Sequence, residues 1–298
     1  MAVWVTGDTH GDWMNRLKMD SFPEQKEMGK DDFVIICGDF GIWDDSKREN
    51  HNLDWLENRS FTTLFVSGNH ENYDLLDNYP IEEWHGGKVN FIRQSVIHLM
   101  RGQIFDIEDK AFFSFGGASS HDISAGILEP DAPDFKEKKR KLDKDPFALY
   151  RINHVSWWER ELPSDKEMEE GLLNLESRGN KVDYIITHSP YTSLLRQMDV
   201  GARLYQNDRL TDYLQEIRQT VDYKHWLFGH MHVDWTFDRV LFLHGTAGFH
   251  SAGCRLAYRR LSGDSTKRTL LLSLGQFCVC GISWRRFPGN SRKGSTGI

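Results

Sequence analysis

Cysteine is scarce in this chain. Four in 298 residues, unevenly spread, do not make a disulfide framework. Cys37 lies inside an apolar run and reads as a small buried hydrophobe, while Cys254, Cys278 and Cys280 fall together in the last segment. The C-x-C spacing of the last two, without a second pair, does not fit a thiolate zinc site. Positive charge is also short. Lys and Arg number 37 against 44 Asp and Glu, a formal net charge of -7, which excludes a nonspecific grip on nucleic acid by a global positive field. There is no long uncharged apolar run, so no membrane span is expected. Met1 to Asp8 already reads as strand and motif, with no room for a signal peptide, and the expected compartment is the cytoplasm.

What the chain does have is a row of short blocks in one order: GDTHGD at Asp8, CGDF at Asp39, SGNHE at His70, an isolated THSP at His188, and FGHMH at His230. Each sets Asp, Asn or His beside a tight turn at the end of an apolar run. These are oxygen and imidazole ligands for hard or borderline metals. One Asp-x-His pair arises by chance; five such blocks point to a metal-dependent hydrolase.

The organisation around the blocks is α/β. Ala2 to Thr6, Phe33 to Cys37 and Thr63 to Ser67 are short apolar runs bounded by turn residues, the pattern of buried strands. They recur about every thirty residues, the length of a β-α-β unit. Trp13 to Met19 and Asn50 to Asn58 carry helical patterns between them. Ligands at the carboxyl ends of successive strands then converge on one sheet edge. Val89–Ile92, Ser95–Met100, Gly102–Ile107 and Ala111–Phe115 read as consecutive strands of a mostly antiparallel sheet. The mixed-sign run Asp131–Asp145 reads as a solvated loop or helix rim. Ser164 and Glu167 mark a helix start, Val182–Thr187 a strand, Leu210–Arg218 a helix and Trp226–Phe228 a strand.

Residues 1–250 are expected to form one domain. Residues 251–298 carry nine Lys or Arg against one acidic residue and read as a basic C-terminal tail. It is expected to hold a terminal strand and a disordered segment; a basic arm for RNA or an acidic partner, and a stretch foreign to the fold, are the alternatives.

Taken together, the order Asp-x-His, Gly-Asp, Gly-Asn-His-Glu, His, Gly-His-x-His resembles the calcineurin-like metallophosphoesterase superfamily, over Val3 to Asp234. The resemblance implies a four-layer α/β/β/α sandwich of mixed sheets with a dinuclear metal site at the strand ends. Two neighbouring cations need an anionic bridge, which a carboxylate supplies and an imidazole does not. By resemblance Asp39 is that bridge, with Asp8, His10 and His232 completing one metal and Asn69, His188 and His230 the other. This Asp/Asn/His set suits two divalent ions of the Mn, Fe, Zn or Co type. They would present a bridging hydroxide for in-line attack on phosphorus.

His70 is the implied catalytic non-ligand, set to stabilise or protonate the leaving group, with Glu71 or a more distant carboxylate orienting it. Phe40 to Asp45 lack the arginine of the protein phosphatase branch, and the Gly-His-Met-His ending is like the phosphodiesterase-type branches. Phosphatase and phosphodiesterase therefore both stay open, with a phosphoester, nucleotides and nucleic acids included, as the expected partner. The alternative is an inactive scaffold of the same fold, which would ordinarily have lost a ligand or His70; neither is missing. Trp43, Tyr73 and Trp84 are expected in the core rather than as stacking platforms. Among the remaining histidines, His121 is the one to watch.

Overall fold

The computed structural model describes residues 1–198, 206–237, 239–243, 246–250, 255–259 and 272–273. The first half runs β1 (Ala2–Thr6), α1 (Trp13–Leu17), β2 (Phe33–Ile36), α2 (Lys47–Glu57), β3 (Thr62–Phe65), α3 (Tyr73–Leu76), β4 (Glu82–Trp84), β5 (Gly87–Arg93), β6 (Val96–Leu99), β7 (Gln103–Ile107) and β8 (Lys110–Phe115). There follow β9 (Ile127–Leu128), α4 (Phe135–Leu142), β10 (Arg151–Ile152), α5 (Asp165–Ser177), β11 (Tyr184–Thr187), α6 (Thr192–Met198), α7 (Arg209–Thr220) and β12 (His225–Phe228). The chain closes with β13 (Trp235–Phe237), β14 (Val240–Phe242), β15 (Thr246–His250), β16 (Arg255–Arg259) and β17 (Leu272–Ser273). No helix among the described residues is long and apolar enough to cross a membrane.

Two mixed sheets result. The first has the order β17-β16-β15-β1-β2-β3-β6-β5-β4 and the second β13-β14-β12-β11-β8-β7. In the first, β1, β2, β3 and β6 run parallel; in the second, β8, β11, β12 and β14 do. Successive strand side chains point to opposite faces, so each run feeds two cores at once. Val3, Val5, Phe33, Ile35, Leu64, Phe112, Tyr184, Ile186 and Leu227 fill the layer between the sheets. Ala2, Trp4, Val34, Ile36 and Phe65 turn outward onto Trp13 and Leu17 of α1 and Leu53 and Leu56 of α2. Phe113, Phe115, Ile185, Trp226 and Phe228 turn the other way, onto Leu175 of α5 and Leu210, Leu214 and Ile217 of α7. Three apolar layers separate four layers of structure, the α/β/β/α sandwich. Cys37 is free and buried between the sheets.

The middle strands depart from expectation. β5–β6 and β7–β8 are antiparallel hairpins, but they belong to different sheets. The chain crosses from one sheet to the other at Met100–Gly102, where the guanidinium of buried Arg101 is held by Gly116 O (2.9 Å) and Arg160 O (2.7 Å). Strands buried on both faces look alike in sequence whichever neighbour they pair with. Of the tail after residue 250, β16 and β17 are described, β16 pairing antiparallel with β15. The remainder, with Cys254, Cys278 and Cys280, lies outside the described residues.

Candidate metal centre

Each sequence block sits just past a strand: Asp8 after β1, Asp39 after β2, Asn69 and His70 after β3, His188 after β11, His230 and His232 after β12. The two sheets present these ends to each other. Asp8 and Asp39 are both 2% exposed and lie at the middle of the cluster. His188 bridges them, with Nε2 3.4 Å from Asp39 Oδ1 and Nδ1 3.9 Å from Asp8 Oδ1. His10 Nε2 is 3.7 Å from Asp39 Oδ2 and 4.0 Å from Asp8 Oδ2. His232 Nε2 is 2.9 Å from Asp8 Oδ2 and 3.2 Å from His10 Nε2. Donor atoms of Asp8, His10 and His232 lie within 4.8 Å of one another, as do those of Asp8, Asp39 and His188, and those of His10, Asp39 and His70. Asp8, Asp39 and His10 each belong to two of the three groups. Asn69 Oδ1 is 3.4 Å from His188 Nε2, and the His230 ring lies 4.9 Å from that of His188. All eight sequence-derived residues are thus brought into one place.

The backbone is bent to make this possible. His10, Asp39, His230 and His232 have φ of 45°, 46°, 64° and 49°, the left-handed region that side chains normally avoid. Each such residue costs on the order of 1–3 kcal/mol, which the surrounding structure must supply. Backbone N–H groups fix the carboxylates: His230 N donates to Asp8 Oδ1 at 2.7 Å and His70 N to Asp39 Oδ1 at 2.9 Å. The glycines are there for room. A Cβ on Gly68 would stand 2.1 Å from Asp39 Oδ1, and one on Gly38 (φ +90°) 2.2 Å from His188 Nδ1.

The electrostatics call for a cation. Burial opposes ionisation of Asp8 and Asp39, yet the His188 charge holds both below the usual carboxylate range. His188, also buried, is pushed up to about 10 by Asp39 and Asp8. The ion-pair partners of the two carboxylates among the described residues are histidines, His232 and His10 facing Asp8 Oδ2. Buried anions with several imidazoles facing them fit divalent metal ions. His230 goes the other way, down to about 3, by burial and the His188 charge, which leaves it a neutral donor. The Asn69 amide is set by Ser120, whose Oγ it faces at 3.4 Å and which in turn donates to Glu161 at 2.6 Å. Its nitrogen is thereby occupied and its oxygen turned to the cluster.

His70 is half-buried and pushed down to about 4 by burial and the Arg151 charge, against Asp39, which raises it. Glu71 does not orient it. Glu71 accepts from Phe40 N at 2.5 Å, from Gly41 N at 3.3 Å and from Gly68 N, tying the β2 and β3 loops together. The group on His70 is Arg151, whose Nη2 is 3.0 Å from Nε2 and which is paired with Asp122. Sequence reasoning missed Arg151, Asp122, Ser120 and Glu161. They come from the stretch between β8 and α5, where no motif marks them. Tyr73 is buried and Trp84 packs against the core, as expected; Trp43 does not. The residue is 42% exposed, with Nε1 donating to His70 O, beside a cleft of about 320 Å³ that runs from His10 past Asp12 and Arg48. The side-chain–backbone bond anchors it where no core position exists. His121 stands 5.8 Å, ring to ring, from His230.

A family model described as calcineurin-like phosphoesterase matches residues 1–234. No curated protein matches the chain. Among solved structures, the phosphopantetheinyl hydrolase of Mycobacterium tuberculosis is 17% identical with a TM-score of 0.35, over 81% of this chain and 87% of that one. A candidate 5′-nucleotidase of Staphylococcus aureus, solved with alpha-ketoglutarate, is 13% identical with a TM-score of 0.38, over 95% of this chain and 56% of that one. This chain therefore spans little more than half the length of the second protein.

Proposed function

The chain belongs to the calcineurin-like phosphoesterase family, and on that premise we propose that it is a hydrolase of phosphoester bonds working with two divalent ions of the Mn, Fe, Zn or Co type. The observation that carries the proposal is the pair of buried carboxylates, Asp8 and Asp39, joined by shared histidines into three overlapping donor groups. Asp39 lies between the groups and would bridge the two ions. Asp8, His10 and His232 would hold one, and Asn69, His188 and His230 the other. When bound, such ions lower the pKa of a coordinated water and neutralise charge gathering on phosphoryl oxygens.

The protein's own contribution is position. The short bonds from His230 N and His70 N hold the carboxylates before any ion arrives, so little has to reorganise. His70 flanks the centre, its ring 5.0 Å from that of His10, and would act on the oxygen leaving phosphorus. The exposed Trp43 ring supplies a surface for the organic part of a substrate. A free, buried Cys37 accords with work in a reducing compartment such as the cytoplasm.

The manganese-loaded protein is expected to cleave p-nitrophenyl phosphate or its bis-ester, and Asp39→Asn to abolish turnover. Full activity in that variant would sink the assignment. Comparing the two chromogenic substrates also decides between phosphatase and phosphodiesterase.

A further inference from the structure

Arg151 stands at the start of β10, far in sequence from every metal-binding block, yet its side chain is 5% exposed and ends at the candidate centre. All its N–H groups have partners. Nε and Nη2 hold the two oxygens of Asp122 at 2.7 and 3.0 Å. Nη1 reaches Ser156 O at 3.1 Å and Asn69 O at 3.4 Å. The remaining Nη2 hydrogen faces His70 Nε2 at 3.0 Å. Such a guanidinium is planar and held on both edges, so its direction is set by the fold and not by the substrate.

A guanidinium has donors and no acceptor. His70 Nε2 must therefore accept the bond from Arg151. An imidazolium cannot do so, and in the neutral ring the proton is left on Nδ1. Among the described residues Nδ1 has no hydrogen-bond partner, and one ring nitrogen of His70 lies within 4.8 Å of the donor atoms of His10 and Asp39.

We propose that Arg151, held by Asp122, is a positioning residue for His70: it occupies Nε2, keeps the ring in its Nδ1–H form and aims that N–H at the oxygen leaving phosphorus. The inference rests on the hydrolase reading above and refines it. Giving up the Nδ1 proton would leave an imidazolate, so His70 stabilises the departing oxygen by a hydrogen bond. The proton that the oxygen finally takes comes from water. An arginine from the β9–β10 excursion thus acts on the centre through its neighbour. The charged pair Arg151–Asp122 adds little net charge of its own.

The test uses full-length, zinc-loaded protein labelled with ¹⁵N-histidine, the His70 signal being assigned with His70→Asn. Wild type is expected to show Nε2 unprotonated and Nδ1 protonated. In Arg151→Met the signal should move toward the Nε2–H tautomer. At equal zinc content, kcat for p-nitrophenyl phosphate or its bis-ester should fall about 10–100-fold with KM changed by less than about twofold. Arg151→Lys should recover part of kcat. Asp122→Asn frees the guanidinium without removing it and should shift tautomer and kcat in the same direction, which covers the case of an Arg151→Met protein that does not fold. An Nε2-protonated His70 in wild type overturns the inference, as does an Arg151→Met protein with unchanged tautomer and kcat. A wild type with the Nδ1–H tautomer and no phosphoester turnover overturns instead the hydrolase reading and the catalytic part of the inference.

Discussion

Single side chains at this centre are governed by burial acting against charge. Asp8 and Asp39 are held below the usual carboxylate range because imidazoles surround them, and His188 is pushed up to about 10 because they surround it. Glu161 has no such company. Burial pushes it up to about 7 from an ordinary 4.5, although Ser120 N and Oγ donate to it at 2.7 and 2.6 Å. The folded state then holds a proton that the unfolded chain releases near pH 4.5. The contribution is fully present below that pH and is lost as pH rises through about 7. It amounts to about 3 kcal/mol. Glu161→Gln is expected to flatten the fall in melting temperature between pH 4.5 and 7.5; an unchanged slope in that variant would show that Glu161 titrates normally. The residue types of the centre were legible in the sequence because ligand chemistry limits them to Asp, Asn and His beside turns. The roles of Ser120, Glu161, Asp122 and Arg151 were not, because a hydrogen bond between residues 29 or 81 positions apart leaves no local pattern.

At the level of elements, local rules decide most of the outcome. The helix start read at Ser164 is a full capping box on α5, with Glu167 N donating to Ser164 Oγ at 3.3 Å and Ser164 N to Glu167 Oε2 at 2.7 Å. Ser164→Ala is expected to lower stability by about 1 kcal/mol in denaturant melts and to leave turnover unchanged. An undiminished midpoint would mean that the cap is redundant in the folded protein. The charge run Asp131–Asp145 is in part the solvated helix α4, which has no buried residue, in line with its reading as a rim. Trp43 and the crossing at Met100–Gly102 show the limit. An aromatic near a motif and a two-sided strand each have two destinations, and only packing against the rest of the chain chooses between them.

For the molecule as a whole, two sheets packed face to face divide the centre between them. Asp8, His10, Asp39 and Asn69 come from the first sheet, His188, His230 and His232 from the second. Metal binding should therefore clamp the sandwich together. Dialysis against a chelator is expected to lower the melting temperature, and added Mn or Zn to raise it with concentration, by about 2.7 kcal/mol of stability at one hundred times the dissociation constant. Asp39→Asn should be nearly indifferent to both treatments. A wild-type melting temperature that does not move with any of Mn, Fe, Zn or Co would refute the dinuclear centre.

The sequence by itself determined the inventory: α/β periodicity, five blocks at strand ends and a ligand set suited to hard and borderline metals. Those are statements about nearest neighbours and residue chemistry, which a linear chain records directly. Only the tertiary structure decided how the strands divide between two sheets, which set the seven proposed ligands across a sheet–sheet interface. It also decided that His70 is met by Arg151 from a short strand that no motif marks and that Trp43 faces solvent. Each depends on which distant segments come into contact, and that is set by the packing of three apolar layers and not by any spacing along the chain.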